Sequence, residues 1–252
     1  MKALAVAACE SARLVRSPGA WVLLAAVQLV VGFIFLLHLE TYLQVQSRLV
    51  DSGGGPGVTA FLVPRLHGAA AVIHLFVLPL VTMQLVAGER RRGTLGLLLG
   101  APVSTLEIVL GKYLGLLGLL ASMVALTTVM PASLAPFTDI DGGALLLAAL
   151  GHLLFLCAAA ALGLYLSTLA REPAVAAGGT LGLLLGLLLL GEWGRTLGAP
   201  WAGPLGWPAP STHLDPFLTG LFDSAAVAFF ILFTGLFVTL AVRRLDNDRL
   251  QR

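Results

Sequence analysis

The chain has 252 residues, of which 58% are hydrophobic and 11% charged, and a net charge of +2. So few charges cannot keep a surface of this size in water, which leaves a membrane as the natural solvent. The basic residues sit between apolar blocks instead of along one stripe, which argues against a nucleic-acid partner.

Residues 1–16 place Leu4, Val6 and Leu14 among Lys2, Glu10, Arg13 and Arg16, a pattern suited to a short helix lying along the membrane surface. The same charges interrupt any cleavable signal, so the first long apolar run is expected to stay as an anchor. Six apolar stretches then have the roughly 20 residues that a helix needs to cross about 30 Å of hydrocarbon. They run over about 20–39, 68–87, 109–130, 143–168, 174–191 and 225–242. Continuous Leu and Ala runs lack the alternation of barrel strands, so the predicted fold is an all-α polytopic membrane protein forming one transmembrane domain. Ser17 followed by Pro18 opens the first span, and Ser104 with Glu107 has capping-box spacing before the third.

Orientation follows from the basic residues, which are retained on the cytoplasmic side near span ends. With both termini cytoplasmic, Lys2, Arg13, Arg16, Arg90, Arg91, Arg92, Lys112, Arg171, Arg243, Arg244, Arg249 and Arg252 lie inside or at that border. Only Arg48, Arg65 and Arg195 fall outside.

The stretch from Glu40 to His67 reads as an outer loop, with Gly53, Gly54, Gly55 and Pro56 as a spacer. The stretch 192–223 carries Trp193, Trp201 and Trp207 with five prolines, too broken to span. Tryptophan favours the headgroup level, so this segment is expected to be interfacial or re-entrant, as two short helices.

Other features have smaller consequences. Gly178, Gly182 and Gly186, and likewise Gly111 and Gly115, recur every four residues, a spacing that lets helices approach closely in lipid. His74 and His152, with Gln28 and Gln84, fall within spans, where bonding to a neighbouring helix is the ordinary role. Cys9 and Cys157 have no disulfide or metal spacing and read as packing residues; no metal site is expected.

Between the second and third spans, residues 88–108 hold Glu89, Arg90, Arg91 and Arg92, then Gly93, Thr94, Leu95, Leu97, Leu98, Pro102 and Val103, with Gly111 and Lys112 beyond. Physically this is a charged knot leaving the membrane, a short apolar helix over about 94–99, and a capped helix re-entering through Ser104 and Glu107. As a plain topogenic loop it would need nothing more. Its order and spacing, however, resemble the signature of type-2 ATP-binding-cassette permeases that serve exporters. Within that family the chain looks most like the permeases of gliding motility and of nitrous-oxide reductase maturation. Many members carry Glu where this chain has Gly96.

The resemblance implies a bacterial inner-membrane permease whose loop 88–108 acts as a coupling helix on a separate ATP-binding subunit. It implies ATP and Mg on that subunit alone, a second permease copy, membrane lipid around the pair, and room for a periplasmic accessory protein. Gly111-Lys112 is the only Gly-Lys, and Leu106 stands where a P-loop needs its first glycine, so this chain is not expected to hydrolyse ATP. The rival reading is a mechanotransmission subunit that moves a periplasmic partner without transport. An ion-coupled carrier is disfavoured by the lack of intramembrane carboxylates.

Overall fold

The computed structural model describes residues 2–49, 57–197 and 202–250, which form helices and no strand. In order these are α1 (Lys2–Arg16), α2 (Pro18–Leu49), α3 (Val58–Thr82), α4 (Ala87–Arg92), α5 (Leu95–Gly100), α6 (Thr105–Ala132), α7 (Gly142–Leu169), α8 (Pro173–Leu197), α9 (Ala202–Gly206), α10 (Pro210–Leu218) and α11 (Ser224–Leu250). Six of them, α2, α3, α6, α7, α8 and α11, are long and apolar enough to cross a membrane. At about 1.5 Å per residue they reach about 38–48 Å, more than a hydrocarbon core requires.

That excess length corrects the expected loop between the first two spans. Glu40 to Leu49 continue α2, and Val58 to His67 already belong to α3. One contact joins these extensions, and a second braces it from within α3. Tyr42 packs on Phe61 with ring centroids 5.4 Å apart, and Arg65 lies 3.8 Å over the same ring while donating to the Phe61 carbonyl at 2.7 Å. Proline and arginine at 64 and 65 resemble loop punctuation, yet α3 runs through Pro64, its seventh residue, at the cost of one amide-to-carbonyl bond, and the arginine stem lies along the helix. The Gly53 to Pro56 spacer lies outside the described residues.

The centre of the bundle is α7 against α3. Ala158, Ala159, Ala160, Ala161 and Leu162 are all fully buried, because small side chains let neighbouring backbones close in. Gly163 marks the tightest point, where a Cβ would lie 2.5 Å from Thr82 Oγ1. The helices α2 and α8 lie at the periphery and turn most of their apolar surface outward.

The N-terminal helix forms as expected and lies on the first half of α6. Gly111 and Gly115 are its seat: a Cβ on Gly111 would come within 2.5 Å of Val6 Cβ and 2.8 Å of the Ala3 carbonyl, and one on Gly115 within 2.6 Å of Glu10 Cβ. The expected close packing at these glycines is real, and its partner is α1. Gly178, Gly182 and Gly186 differ, since each faces open space, so their stripe makes no helix contact within the chain. Cys9 is exposed and not packed, whereas Cys157 is half-buried and its carbonyl accepts from the Tyr113 hydroxyl at 3.1 Å.

At the other end of the chain, α11 returns to the same end of the bundle as α1. Asp246 accepts from Thr105, Asp248 pairs with Arg90, and Arg249 donates to the Val103 carbonyl at 3.1 Å. Both described termini therefore share one end with the 88–108 loop.

The segment before α11 holds two short helices, α9 and α10, as its prolines require. It is anchored: Phe217 is fully buried in a notch that α7 leaves by having glycine at 151. His213 stacks on Phe229 with centroids 3.8 Å apart and bonds the Trp207 carbonyl at 2.9 Å. Trp193 and Trp207 point outward, and Trp201 lies outside the described residues.

Candidate functional site

The 88–108 loop is the most constructed feature of the chain. Its base hangs on one hydroxyl. Ser167 of α7, fully buried, accepts from the Val86 and Ala87 amides at 3.2 and 3.0 Å and donates to the Met83 carbonyl at 3.2 Å. These are the amides that the start of a helix leaves without partners, so α7 nucleates α4 from outside. The helix stops after a single turn and a half at Gly93, whose φ of +74° needs a residue without a Cβ.

The next helix, α5, occupies the stretch expected for the short apolar helix, to within a residue at each end. Leu95 and Leu99 are buried, four apart on one face, while Leu97 on the opposite face is 79% exposed. The capping box then starts α6: Ser104 Oγ accepts from the Glu107 amide at 3.2 Å, and Glu107 accepts from the Ser104 amide at 3.0 Å. Pro102 is exposed, and its carbonyl accepts from Lys2 Nζ at 2.6 Å, which ties the loop to α1.

The charged residues divide in a way that corrects the reading of the knot as a single partner surface. Arg90 turns inward, pairing with Asp248 of α11 and donating to the Ala170 carbonyl at 3.1 Å. Glu89 is also spoken for: its Oε1 lies 2.5 Å from Nζ of Lys112, which is itself only 1% exposed. Glu10 of α1 approaches the same ammonium at 3.8 Å, and Arg13 pairs with Glu10 and lies 3.9 Å from Glu89. Two cations and two carboxylates thus make a neutral, largely buried cluster joining α1, α4 and α6. This balance is what makes burial of Lys112 tolerable. Arg91 is exposed with only a loose pairing to Glu172 at 3.8 Å, and Arg92 is exposed without an ion pair among the described residues.

The resulting outer face consists of Arg91, Arg92, Thr94, Leu97 and Pro102, with Leu106 beside it. Leu95 and Leu98 serve the inner side, and Glu107 serves the cap. Sequence reasoning gave the loop but not the Lys112 cluster. Lys112 reads as one more border cation, and its carboxylates lie 23 and 102 positions away. An aliphatic run on both sides of a lysine was the available signal.

A second polar group is buried within the bundle. His152 of α7 sits between His67 and His74 of α3, with Nδ1 3.1 Å from His67 Nδ1 and Nε2 3.1 Å from His74 Nδ1. All three are fully buried, and the Nε2 atoms of His67 and His74 have no partner among the described residues. Each nitrogen pair needs one proton and one lone pair, so a neutral chain has both shared protons pointing the same way. This bears out helix-to-helix bonding for His74 and His152 and adds His67, which its position after Pro64 and Arg65 disguises as loop. Among the described residues no His, Cys, Asp or Glu group has an arrangement that could hold a metal.

Six helices long and apolar enough to cross a membrane, with both described ends beside the 88–108 loop, define a multi-pass membrane protein. Residues 4–222 match the model of the ABC-2 family transporter proteins, and the chain belongs to that family. It is a multi-pass membrane permease of that family. The probable ABC transporter permease protein NosY of Pseudomonas aeruginosa (strain PAO1) is 34% identical over 150 residues, 55% of this chain and 54% of NosY. The similarity thus spans about half the length of that relative.

Proposed function

We propose that this chain is the permease subunit of an ATP-driven exporter and that a separate ATP-binding subunit docks on the loop from Arg91 to Leu106. The observation that carries this reading is Leu97, a leucine 79% exposed at the tip of a helix whose every other tie is to the bundle. An apolar side chain beside the exposed Arg91 and Arg92 fits an interface anchor with a charged rim.

The attachments supply the mechanism. The loop is joined covalently to α3 and α6, by Ser167 to α7, by Arg90 to α11, and by Lys2 and the Lys112 cluster to α1. Displacement of α5 by a partner that closes on ATP and Mg therefore reaches five helices together, as a rigid-body movement. The arginine asymmetry supports a cytoplasmic position for this end; the membrane in this reading is a bacterial inner membrane, with the α9–α10 segment at its outer headgroup level. A second permease copy completes the complex, and the open Gly178, Gly182 and Gly186 face of α8 supports contact there. The largely apolar walls suit a lipid-like or amphipathic cargo.

Leu97→Asp should weaken binding of the ATP-binding subunit by about tenfold or more, as expected for an interface anchor, while all six spans still insert. Arg16→Gln serves as control, being basic, exposed and unpaired in the described residues. Arg249 would not serve, since it bonds the loop at Val103. Unchanged binding and coupled hydrolysis in the Leu97 variant would refute docking on this face.

A further inference from the structure

At the end of the bundle away from the coupling loop, α3, α7, α8 and α10 enclose a cavity of about 440 Å³. That volume lies in the range of small-molecule sites. Its inner walls are apolar, from Ala71, Phe155, Leu188 and Leu214. Its rim is ionic: Arg195 pairs with both Glu192 and Asp215, each of the three about half-exposed. Between wall and rim, Ser211 packs its Oγ against Gly191 of α8, out of reach of the cavity.

The position of the rim fixes its depth. Glu192 lies 19 residues along α8 from Pro173, at the coupling-loop end, which at about 1.5 Å per residue is about 29 Å. One hydrocarbon thickness is about 30 Å, so the rim sits at headgroup level and the walls among the acyl chains.

The charges choose among headgroups. One guanidinium between two carboxylates repels a simple anion, and a simple cation would leave Arg195 as it is. A zwitterion satisfies both signs, with its phosphate on Arg195 and its ammonium on Glu192 and Asp215. Half-exposed ion pairs are weak, so a headgroup can exchange into them. Burial raises the Asp215 carboxyl above its ordinary range, opposed by Arg195. Among the described residues the Asp215 and Glu192 carboxylates each accept a single bond, from Arg195, so both have room for further donors. An ammonium with N–H groups supplies them, and a quaternary ammonium does not.

We propose that this cavity is a binding site for a phosphatidylethanolamine molecule of the adjoining leaflet, its headgroup on Arg195, Glu192 and Asp215, and one acyl chain along Ala71 and Phe155. The site follows from this cavity alone and stands whether or not the chain exports anything.

The test uses the purified complete complex, delipidated, with thermal stability and native mass spectrometry read as phosphatidylethanolamine is added. Phosphatidylcholine and phosphatidylglycerol are the comparison lipids. Phosphatidylethanolamine should raise the melting temperature and remain bound, phosphatidylcholine should do so more weakly, and phosphatidylglycerol should not. Arg195→Gln and Asp215→Asn, changes at a half-exposed rim, should each lower the apparent affinity for phosphatidylethanolamine about tenfold. Ala71→Leu, which fills the cavity, should abolish the shift. Equal response to all three lipids, or full phosphatidylethanolamine binding by both rim variants, would overturn the proposal. Should Ala71→Leu fail to fold, the rim variants still decide it.

Discussion

Replacing Lys112 with methionine should destabilise the folded permease by about 3–5 kcal/mol, the cost of removing one partner from a buried ion pair. Methionine keeps most of the volume but leaves Glu89 and Glu10 converging on a site with only Arg13 to balance them. Glu89 Oε2 already lacks a partner, so there is no spare hydrogen bonding to absorb the loss. The measurement is a thermal melt of the detergent-solubilised chain. The variant combining Lys112→Met, Glu89→Gln and Glu10→Gln should recover much of the difference, because no uncompensated carboxylate remains. A single Lys112→Met variant that melts with the unmodified protein would show that the cluster is a surface contact of little weight.

Gly111→Leu should be nearly as damaging, by about 3 kcal/mol, at the upper end of what overpacking costs. Even a Cβ at this position meets the Ala3 carbonyl at 2.8 Å, and backbone cannot swing aside as a side chain does. The only relief is to lift α1 from α6, which also separates Glu10 from Lys112. Proteolysis within α1, and alkylation of a cysteine introduced as Ser11→Cys, should then accelerate, while the six spans remain inserted. Ser11 reports directly, since its hydroxyl bonds the Gly115 carbonyl at 3.1 Å in the seated state. Unchanged protection of α1 would contradict the account of Gly111 as its seat.

The spans were legible because a bilayer imposes a length and a composition that survive in any single sequence. Short-range chemistry was legible as well: the Ser104 and Glu107 capping box and the brief α5 follow from residues within a few positions of one another. What sequence could not supply was the destination of side chains whose partners lie far along the chain. Arg90 and Arg91 look alike as letters, yet one reaches Asp248 and the other reaches solvent. Gly111 and Gly178 likewise begin the same spacing pattern, and only one has a helix against it. His67 was hidden by the proline and arginine before it, which punctuate a loop in most soluble contexts but here belong to a helix longer than its membrane. The loop as a unit was therefore visible from sequence, and the division of its residues between bundle and partner was not.

The central claim is that the outward face of α5 touches an ATP-binding subunit. It is tested most directly by placing a photoreactive residue at position 97 in the assembled complex and identifying the adduct. The account predicts an adduct with the ATP-binding subunit, formed at position 97 and absent when the same group replaces Trp207 at the opposite end of the bundle. Adducts at position 97 with lipid alone would contradict it.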